Sequence, residues 1–65
     1  MKINFSKNLK KIRLEAKMSQ KMLAEMLKVD QRTISAWENN IAQPSLETLA
    51  KICEIFNEDF NNLLM

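Results

Sequence analysis

Three hydrogen-bonding side chains, Gln31, Arg32 and Ser35, lie close together near the middle of the sequence. On a helix they project from one side, while Ile34 and Trp37 project from the other and can seat the helix on a core. A glutamine amide can form two hydrogen bonds to adenine, and an arginine guanidinium can form two to guanine. The pattern predicts a helix from about residue 31 to 39 whose polar side could read base edges in the major groove of double-stranded DNA.

The sequence lacks the side chains on which most enzyme active sites depend. It has no histidine and no glycine, and its one cysteine is Cys53. The common zinc sites, acid-base catalysis by histidine and glycine-rich phosphate loops are therefore excluded, and no histidine could activate a thiol nucleophile. We interpret Cys53 as a buried filler, and we expect a protein that is not an enzyme and uses no metal or cofactor.

Charged residues are unevenly distributed along the chain, although the net charge is only +2. Residues 1–32 carry nine basic and three acidic side chains, a net charge of +6, whereas residues 33–65 carry one basic and five acidic side chains, a net charge of −4. This separation favours a polyanion-binding face formed by the first half. Lysine-rich helices that are merely well solvated would give the same charge pattern.

Apolar residues recur every three or four positions through most of the chain, which is typical of helices. We expect helices from about residue 6 to 16, from 19 to 27, from 31 to 39 and from 45 to 57, then a short final helix, and no strand. The N-caps we expect are Asn4 or Ser6, then Ser19, Asp30, Ser45 and Asp59. The side chains we expect to face the core are Phe5, Leu9, Ile12, Ala16, Leu23, Ala24, Leu27, Ile34, Trp37, Leu46, Leu49, Ile52, Cys53, Phe56, Phe60, Leu63 and Leu64.

Several motifs occur together in a characteristic order. The sequence Ser19-Gln20-x-x-Leu23-Ala24 is followed by Val29, Ile34, Trp37-Glu38, Pro44-Ser45 and Leu49. In this joint spacing the chain resembles the phage repressor and Cro-like helix-turn-helix family of XRE-type transcriptional regulators, from about Phe5 to Leu64. The resemblance implies an all-α, compact five-helix, lambda-repressor-like DNA-binding domain over residues 1–65, with the helix-turn-helix in helices 2 and 3.

The resemblance also implies which residues contact DNA. It places the start of helix 2 on the DNA backbone through Gln20, where exposed amides and the helix dipole suit a phosphate oxygen. It places Ala36 where it could touch a thymine methyl group. The base-reading positions that it implies are Gln31, Arg32, Thr33, Ser35 and Ala36.

Other phosphate contacts are suggested by position along the chain. Asn39 and Asn40 come just after the expected recognition helix, and Lys10 and Lys11 lie on helix 1, so all four could hold flanking phosphates without reading sequence. An equally open alternative is that the lysines of this region are solvated charges; these are Lys7, Lys10, Lys11 and Lys17.

Two charged residues have a structural interpretation. In some members of the family that this chain resembles, the positions of Arg13 and Glu38 form an ion pair between helix 1 and the end of helix 3. We expect the same pair here, and we expect it to fix the recognition helix against its support.

The chain departs from the pattern of that family at several positions. The family usually has glycine at three helix ends where this chain has Lys17, Lys28 and Asn40. Left-handed backbone would cost each lysine up to roughly 1 kcal/mol. Asp30 replaces a serine or threonine and puts a negative charge near the expected phosphate path, and Glu58 replaces an apolar residue before the last helix.

The function we expect is sequence-specific DNA binding by a transcriptional regulator, a repressor. The chain has neither a run of about 20 apolar residues nor a secretory signal, so we expect a cytoplasmic protein with no membrane partner. A homodimer on a palindromic operator is the expected assembly, and no small-molecule effector is evident. Met1 and the absence of a linker favour a complete protein over a domain of a longer one.

The alternative, from a different class of function, is a helical protein-interaction module, such as an antitoxin or adaptor, that would bind a partner through residues 55–65.

Five apolar residues exceed what so small a core accommodates. Two interpretations stay open: some of them form a dimer contact, or they fill gaps at the edge of the core. These residues are Met22, Met26, Ile55, Phe60 and Met65.

Overall fold

The computed structural model describes residues 4–65, so Met1 and Lys2 of the sequence analysis lie outside the described residues. It contains α1 (Phe5–Glu15), α2 (Gln20–Leu27), α3 (Gln31–Glu38), α4 (Leu46–Phe56) and α5 (Phe60–Leu64). No strand occurs in this part of the chain. The longest helices, α1 and α4, have 11 residues, and no helix within residues 4–65 could cross a membrane.

Side-chain caps fix where four of the helices begin. Ser19 Oγ accepts a hydrogen bond from a backbone N–H in the first turn of α2 at 3.0 Å, and Asp30 Oδ1 accepts one from α3 at 2.8 Å. Ser45 and Asp59 cap α4 and α5 in the same way. Each cap satisfies an N–H that has no partner within its helix, and all four caps are those that the sequence predicts.

The start of α1 is held differently, by contact with the end of α5. Asn4 occupies the cap position but makes no capping side-chain hydrogen bond, and Ser6 lies inside the helix. The Asn4 N–H instead donates to the carbonyl oxygen of Leu64 at 2.7 Å, and Asn8 Nδ2 donates to that of Leu63 at 2.9 Å. The first and last helices are thus joined through carbonyls that α5 cannot satisfy itself.

Helices α1 to α4 all end in the same left-handed turn, without a glycine. After α2, for example, the N–H of Val29 donates to Ala24 O at 3.0 Å and that of Lys28 donates to Glu25 O at 3.3 Å. This pair of bonds defines the Schellman motif, whose turning residue is usually glycine. The turning residues have φ angles between 53° and 59°; they are Lys17, Lys28, Asn40 and Asn57. The three positions where the family usually has glycine therefore do adopt left-handed backbone.

All five helices contribute to one core. Leu9, Leu23, Ile34, Ile52 and Leu63 are completely buried and come from five different helices. The remaining buried apolar residues are Phe5, Ala24, Trp37 and Cys53, with half-buried Ile12, Leu27, Val29, Leu49, Ile55, Phe56 and Leu64 packed against them.

Three residues expected in the core are exposed. Leu46 is 73% exposed because the apolar spacing of α4 continues into a first turn that lies beyond the core, which begins at half-buried Leu49. Ala16 lies after the end of α1, where the chain already turns away from the helix. Phe60 is 40% exposed because it begins α5, a helix of five residues whose one buried side chain is Leu63.

Candidate nucleic-acid interface

The outer side of α3 carries a row of four polar or small side chains, here called the outer stripe. Its members follow the spacing i, i+3, i+4, i+7 and therefore lie on one side of a helix. They are Arg32, Ser35, Ala36 and Asn39, the last directly following the helix. The opposite side is seated in the core by Ile34 and Trp37, which are 0% and 5% exposed.

Two further residues expected to read bases lie beside the outer stripe. Gln31 is exposed and is the first residue of α3. Thr33 is half-buried and lies about 100° around the helix from Arg32, toward buried Ile34. Gln31 is therefore freely available to a ligand at the start of α3, whereas Thr33 is at the margin of the surface.

The Arg32 side chain is almost completely free. Its side chain is 94% exposed, and its Nε lies 3.5 Å from Oδ1 of Asp30, which is itself 61% exposed. Ion pairs at this exposure contribute about 0–1 kcal/mol. The guanidinium can therefore leave Asp30 for a stronger partner at little cost.

Ser35 and Asn39 form a hydrogen-bonded pair on the outer stripe. Asn39 Nδ2 donates to the backbone carbonyl oxygen of Ser35 at 2.8 Å and also to Ser35 Oγ at 3.2 Å. Both residues were expected at the interface, but in different capacities, Ser35 on a base and Asn39 on a phosphate. Their i, i+4 spacing could have indicated the pair from the sequence.

A buried polar network fixes α3 against α1 and α2. Glu38 accepts hydrogen bonds from Arg13 Nε at 2.7 Å, from Arg13 Nη2 at 3.0 Å and from Gln20 Nε2 at 3.0 Å. Arg13 Nη1 also donates to the carbonyl oxygen of Met18 at 2.7 Å. The Arg13 and Glu38 side chains are 7% and 3% exposed. The sequence analysis paired these two residues but missed Gln20 as the third member.

The start of α2 offers backbone rather than side-chain groups to an anion. Gln20 and Lys21 are its first two residues, and N–H groups at these positions have no partner within a helix. The positive end of the helix dipole lies there too. The Gln20 side chain, expected to meet a phosphate, is instead half-buried and bound to Glu38.

Lys10 and Lys11 project from different sides of α1. Arg13 faces α3, and Lys10 lies one turn before it on the neighbouring side of the helix. Lys11 is rotated by about 200° from Arg13, and it lines a groove that also includes Glu15 and Glu58. Helix geometry therefore places Lys10 on a side of α1 next to Arg13, and Lys11 on the opposite side.

Most basic residues of the first half remain accessible. Arg13 is the buried exception, and its charge is matched by Glu38. The exposed basic residues within the described chain before residue 33 are Lys7, Lys10, Lys11, Lys17, Lys21, Lys28 and Arg32. Asn40 is also exposed, in the left-handed turn after α3.

Cys53 lies in the core, close to two acidic residues at the end of α4 and the start of α5. Burial, together with the negative charges of Asp59 and Glu58, raises the pKa of the Cys53 thiol above its ordinary value. Such a thiol is protonated and unreactive at neutral pH. Among residues 4–65 no group of histidine, cysteine, aspartate and glutamate side chains could hold a metal ion.

Comparison with known protein families gives a match over most of the chain. A family described as helix-turn-helix matches residues 9–63. The chain is also 32% identical over 62 residues to the HTH-type transcriptional activator BcrR of Enterococcus faecalis. This match covers 95% of this chain and 30% of that protein.

Solved structures show the same fold. A transcriptional regulator from Listeria innocua superposes with a TM-score of 0.93 at 23% identity, over 98% of this chain and 60% of that one. The hydroxypropylphosphonic acid epoxidase from S. wedmorenis superposes with a TM-score of 0.87 at 29% identity, over 94% of this chain and 32% of the epoxidase. The five-helix fold predicted from the sequence is confirmed, and it corresponds to part of each of these longer proteins.

Proposed function

The chain belongs to the helix-turn-helix family, and we propose that it binds double-stranded DNA sequence-specifically, with α3 as the helix that enters the major groove. The observation that carries this proposal is the outer stripe. It joins an arginine side chain that is 94% exposed to small and polar side chains on the side of α3 opposite the core. A helix that reads base edges needs this division between a polar outer side and an apolar seat.

In this proposal the base-reading residues are Arg32, Ser35 and Ala36 of the outer stripe together with Gln31 at the start of α3, while Asn39 at the end of the stripe contacts a phosphate. Arg32 is suited to guanine because its guanidinium can donate two hydrogen bonds to O6 and N7. Gln31 is suited to adenine, and Ala36 to a thymine methyl group. Thr33 would make at most a marginal contact because it is half-buried.

Phosphate contacts would flank this reading helix on two sides. The free N–H groups of Gln20 and Lys21 at the start of α2 suit one phosphate. Lys10 on α1 and Asn40 after α3 suit others, since both are exposed, Lys10 lies one turn before Arg13, and Asn40 directly follows the end of α3. Such contacts would position the protein without reading sequence. Lys11 contributes little in this proposal because its groove also holds Glu15 and Glu58.

We infer a role in regulating transcription from the family and from the regulators that share this fold. BcrR is named as an activator, so the likeness to it does not favour the repression expected from the sequence. This segment would act by binding rather than by catalysis, although one protein with a similar fold is an enzyme. The similar part makes up only 32% of the epoxidase's chain, so the likeness concerns one segment of that enzyme. A DNA-binding function agrees with the cytoplasmic location expected from the sequence.

We further propose that two copies bind a palindromic site, because a single small module buries little surface on DNA. The structure adds two candidates for the dimer contact to those expected from the sequence. Ile41 and Leu46 are 78% and 73% exposed and flank the loop that follows α3. A contact there would lie beside the DNA-reading helix of each copy.

The proposal is tested by selecting bound sequences from a random pool of DNA duplexes at two salt concentrations. Enrichment of a motif, with affinity that falls steeply as salt rises, would support DNA reading with several phosphate contacts. A palindromic motif with half-sites roughly 34–36 Å apart would support the dimer. Failure to enrich any motif at low salt would contradict the proposal and would favour a protein-interaction module that uses residues 55–65.

The dimer contact needs a separate experiment. Changing Ile41 and Leu46 to aspartate should leave the fold intact, because both side chains are exposed, but should weaken binding to two half-sites relative to one. Leu14→Asp is a matched control, since Leu14 is 55% exposed on α1 and is not a candidate for the contact. Equal loss of cooperativity in the control would show that Ile41 and Leu46 do not form the contact.

A further inference from the structure

We propose that Asp30 is a positioning residue that orients Arg32 toward guanine, an assignment that rests on the DNA-binding function proposed above. From the sequence, Asp30 was expected only to cap α3 and to put a negative charge near the phosphate path. The contacts of its carboxylate with Arg32 give that charge a part in base recognition.

The carboxylate of Asp30 is tied to the backbone of the residue that it would position. Its Oδ1 accepts a hydrogen bond from the Arg32 N–H at 2.8 Å, which caps α3. The same oxygen lies 3.5 Å from Nε of the Arg32 side chain. The cap holds the carboxylate at the start of the helix. The guanidinium therefore meets a negative charge whose place is set by α3 itself.

The pairing through Nε leaves free the edge of the guanidinium that guanine requires. The N–H groups of an arginine side chain form a rigid planar fork. Nε faces Asp30, whereas Nη1 and Nη2 form the outer edge of a side chain that is 94% exposed. Two N–H groups on that edge can donate to O6 and N7 of one guanine. Arg32 can therefore bind guanine without leaving Asp30.

The ion pair should matter more on DNA than in the free protein. In the free protein the two side chains are 94% and 61% exposed, so the pair contributes little to stability. A helix that enters the major groove excludes water from around the pair, and the attraction between charges rises as the local dielectric falls. A guanidinium without this partner would be drawn to phosphates, which carry no sequence information.

The test compares two duplexes. One is the duplex that the wild type prefers, and the other has adenine in place of the guanine whose preference Arg32→Ala relaxes. Asp30→Ser keeps a good helix cap but removes the charge. This variant should bind both duplexes at least as tightly as the wild type, because a charge that repels phosphates is gone. Its ratio of the two dissociation constants should nevertheless be smaller by about 2- to 5-fold, as for the loss of one ion pair.

A double variant shows whether Asp30 acts through Arg32. In an Arg32→Ala background, Asp30→Ser should leave the ratio of the two dissociation constants unchanged, because no guanidinium remains to be positioned. A change in helix stability alone would lower affinity for both duplexes alike and would not produce this dependence on Arg32.

Asp59→Ser is a matched control. Asp59 is also an exposed aspartate cap, since its Oδ1 accepts a hydrogen bond from the Asn62 N–H at 2.7 Å, but the helix that it caps is α5. The change removes the same charge from the chain and should keep the wild-type ratio. Circular dichroism of each variant checks that the helices are unchanged.

The outcomes separate this inference from the function on which it rests. If Asp30→Ser tightens binding to both duplexes alike, Asp30 only repels phosphates and the inference is wrong, although DNA binding stands. If the ratio still changes in the Arg32→Ala background, Asp30 contacts the base itself, and the inference is again wrong. If Arg32→Ala relaxes no preference, Asp30 has no reader to position. If the wild type selects no preferred duplex at all, the proposed function fails and this inference fails with it.

Discussion

Arg13 holds Glu38 through both carboxylate oxygens, with Nε 2.7 Å from Oε2 and Nη2 3.0 Å from Oε1. Two parallel bonds of this kind define the relative orientation of the two side chains as well as their distance. Because Glu38 is the last residue of α3 and Arg13 lies on α1, the pair fixes the end of the proposed reading helix.

Removing one member of this pair should strongly destabilise the fold. We expect Arg13→Ala to lower the free energy of unfolding by about 3–5 kcal/mol, because Glu38 would remain charged and buried. The measurement is urea denaturation followed by circular dichroism. Arg32→Ala is the control, since it breaks an exposed pair with Asp30 and should change stability by less than about 1 kcal/mol. Equal effects of the two changes would contradict a structural function for Arg13.

Arg32 should determine specificity rather than stability. We expect Arg32→Ala to relax the preference at one guanine-cytosine pair, with a loss of about 1–3 kcal/mol of discrimination there. Selection from a random duplex pool with the wild type and the variant measures this directly. An unchanged base preference, with affinity lowered on every duplex, would assign Arg32 to a phosphate.

Local chemistry explains why so much of the fold could be predicted from the sequence. Ser19, Asp30, Ser45 and Asp59 are cap residues directly before apolar-periodic segments, so both the start and the type of each helix were evident. The exposure of Leu46 was not evident, because periodicity does not show where neighbouring helices end.

The candidate site was less predictable, because its details depend on which partners are brought together. The sequence indicated the outer side of α3 and the pairing of Arg13 with Glu38. It did not indicate that Gln20 would bind Glu38, since these residues are 18 positions apart and meet through tertiary packing. Nor did it indicate that Lys11 would line a groove with Glu58, which is 47 positions away in the chain.

The two lysines should differ in their effect on DNA binding. We expect Lys10→Ala to weaken binding to all duplexes and to reduce the slope of log affinity against log salt by about one unit, as for one lost phosphate contact. Lys11→Ala, which removes the same charge from the other side of the helix, should leave the slope nearly unchanged. Equal slopes for both variants would show that the side of α1 does not matter and that net charge alone drives the effect.

Lys28 should be a position where glycine stabilises the protein. Its φ angle is 59°, in the left-handed region that is unfavourable for a residue with a side chain. We expect Lys28→Gly to raise the free energy of unfolding by up to about 1 kcal/mol. For a domain of this size that corresponds to a rise in Tm of about 4–8 °C.

Lys51→Gly provides the opposite case, because Lys51 lies in the middle of α4 and is also exposed. Glycine inside a helix costs about 1 kcal/mol, so this variant should have a lower Tm than the wild type. If Lys28→Gly also lowered the Tm, the left-handed turn after α2 would not be the preferred conformation in solution.

The buried thiol should make stability fall in alkaline solution. Burial and the nearby charges of Asp59 and Glu58 raise the pKa of Cys53 in the folded protein, whereas an unfolded thiol ionises near pH 8.5. Above that pH the unfolded chain binds fewer protons than the folded one, so the free energy of unfolding falls with rising pH until the folded thiol also ionises. The slope from this group can reach about 1.4 kcal/mol per pH unit.

Urea denaturation between pH 7 and 9.5 under reducing conditions should show this fall in the wild type and a flatter profile in Cys53→Ala, even though the alanine variant starts from lower stability. Parallel profiles for the two proteins would mean that the thiol ionises equally in the folded and unfolded chains, and that Cys53 is more accessible than its 9% exposure indicates.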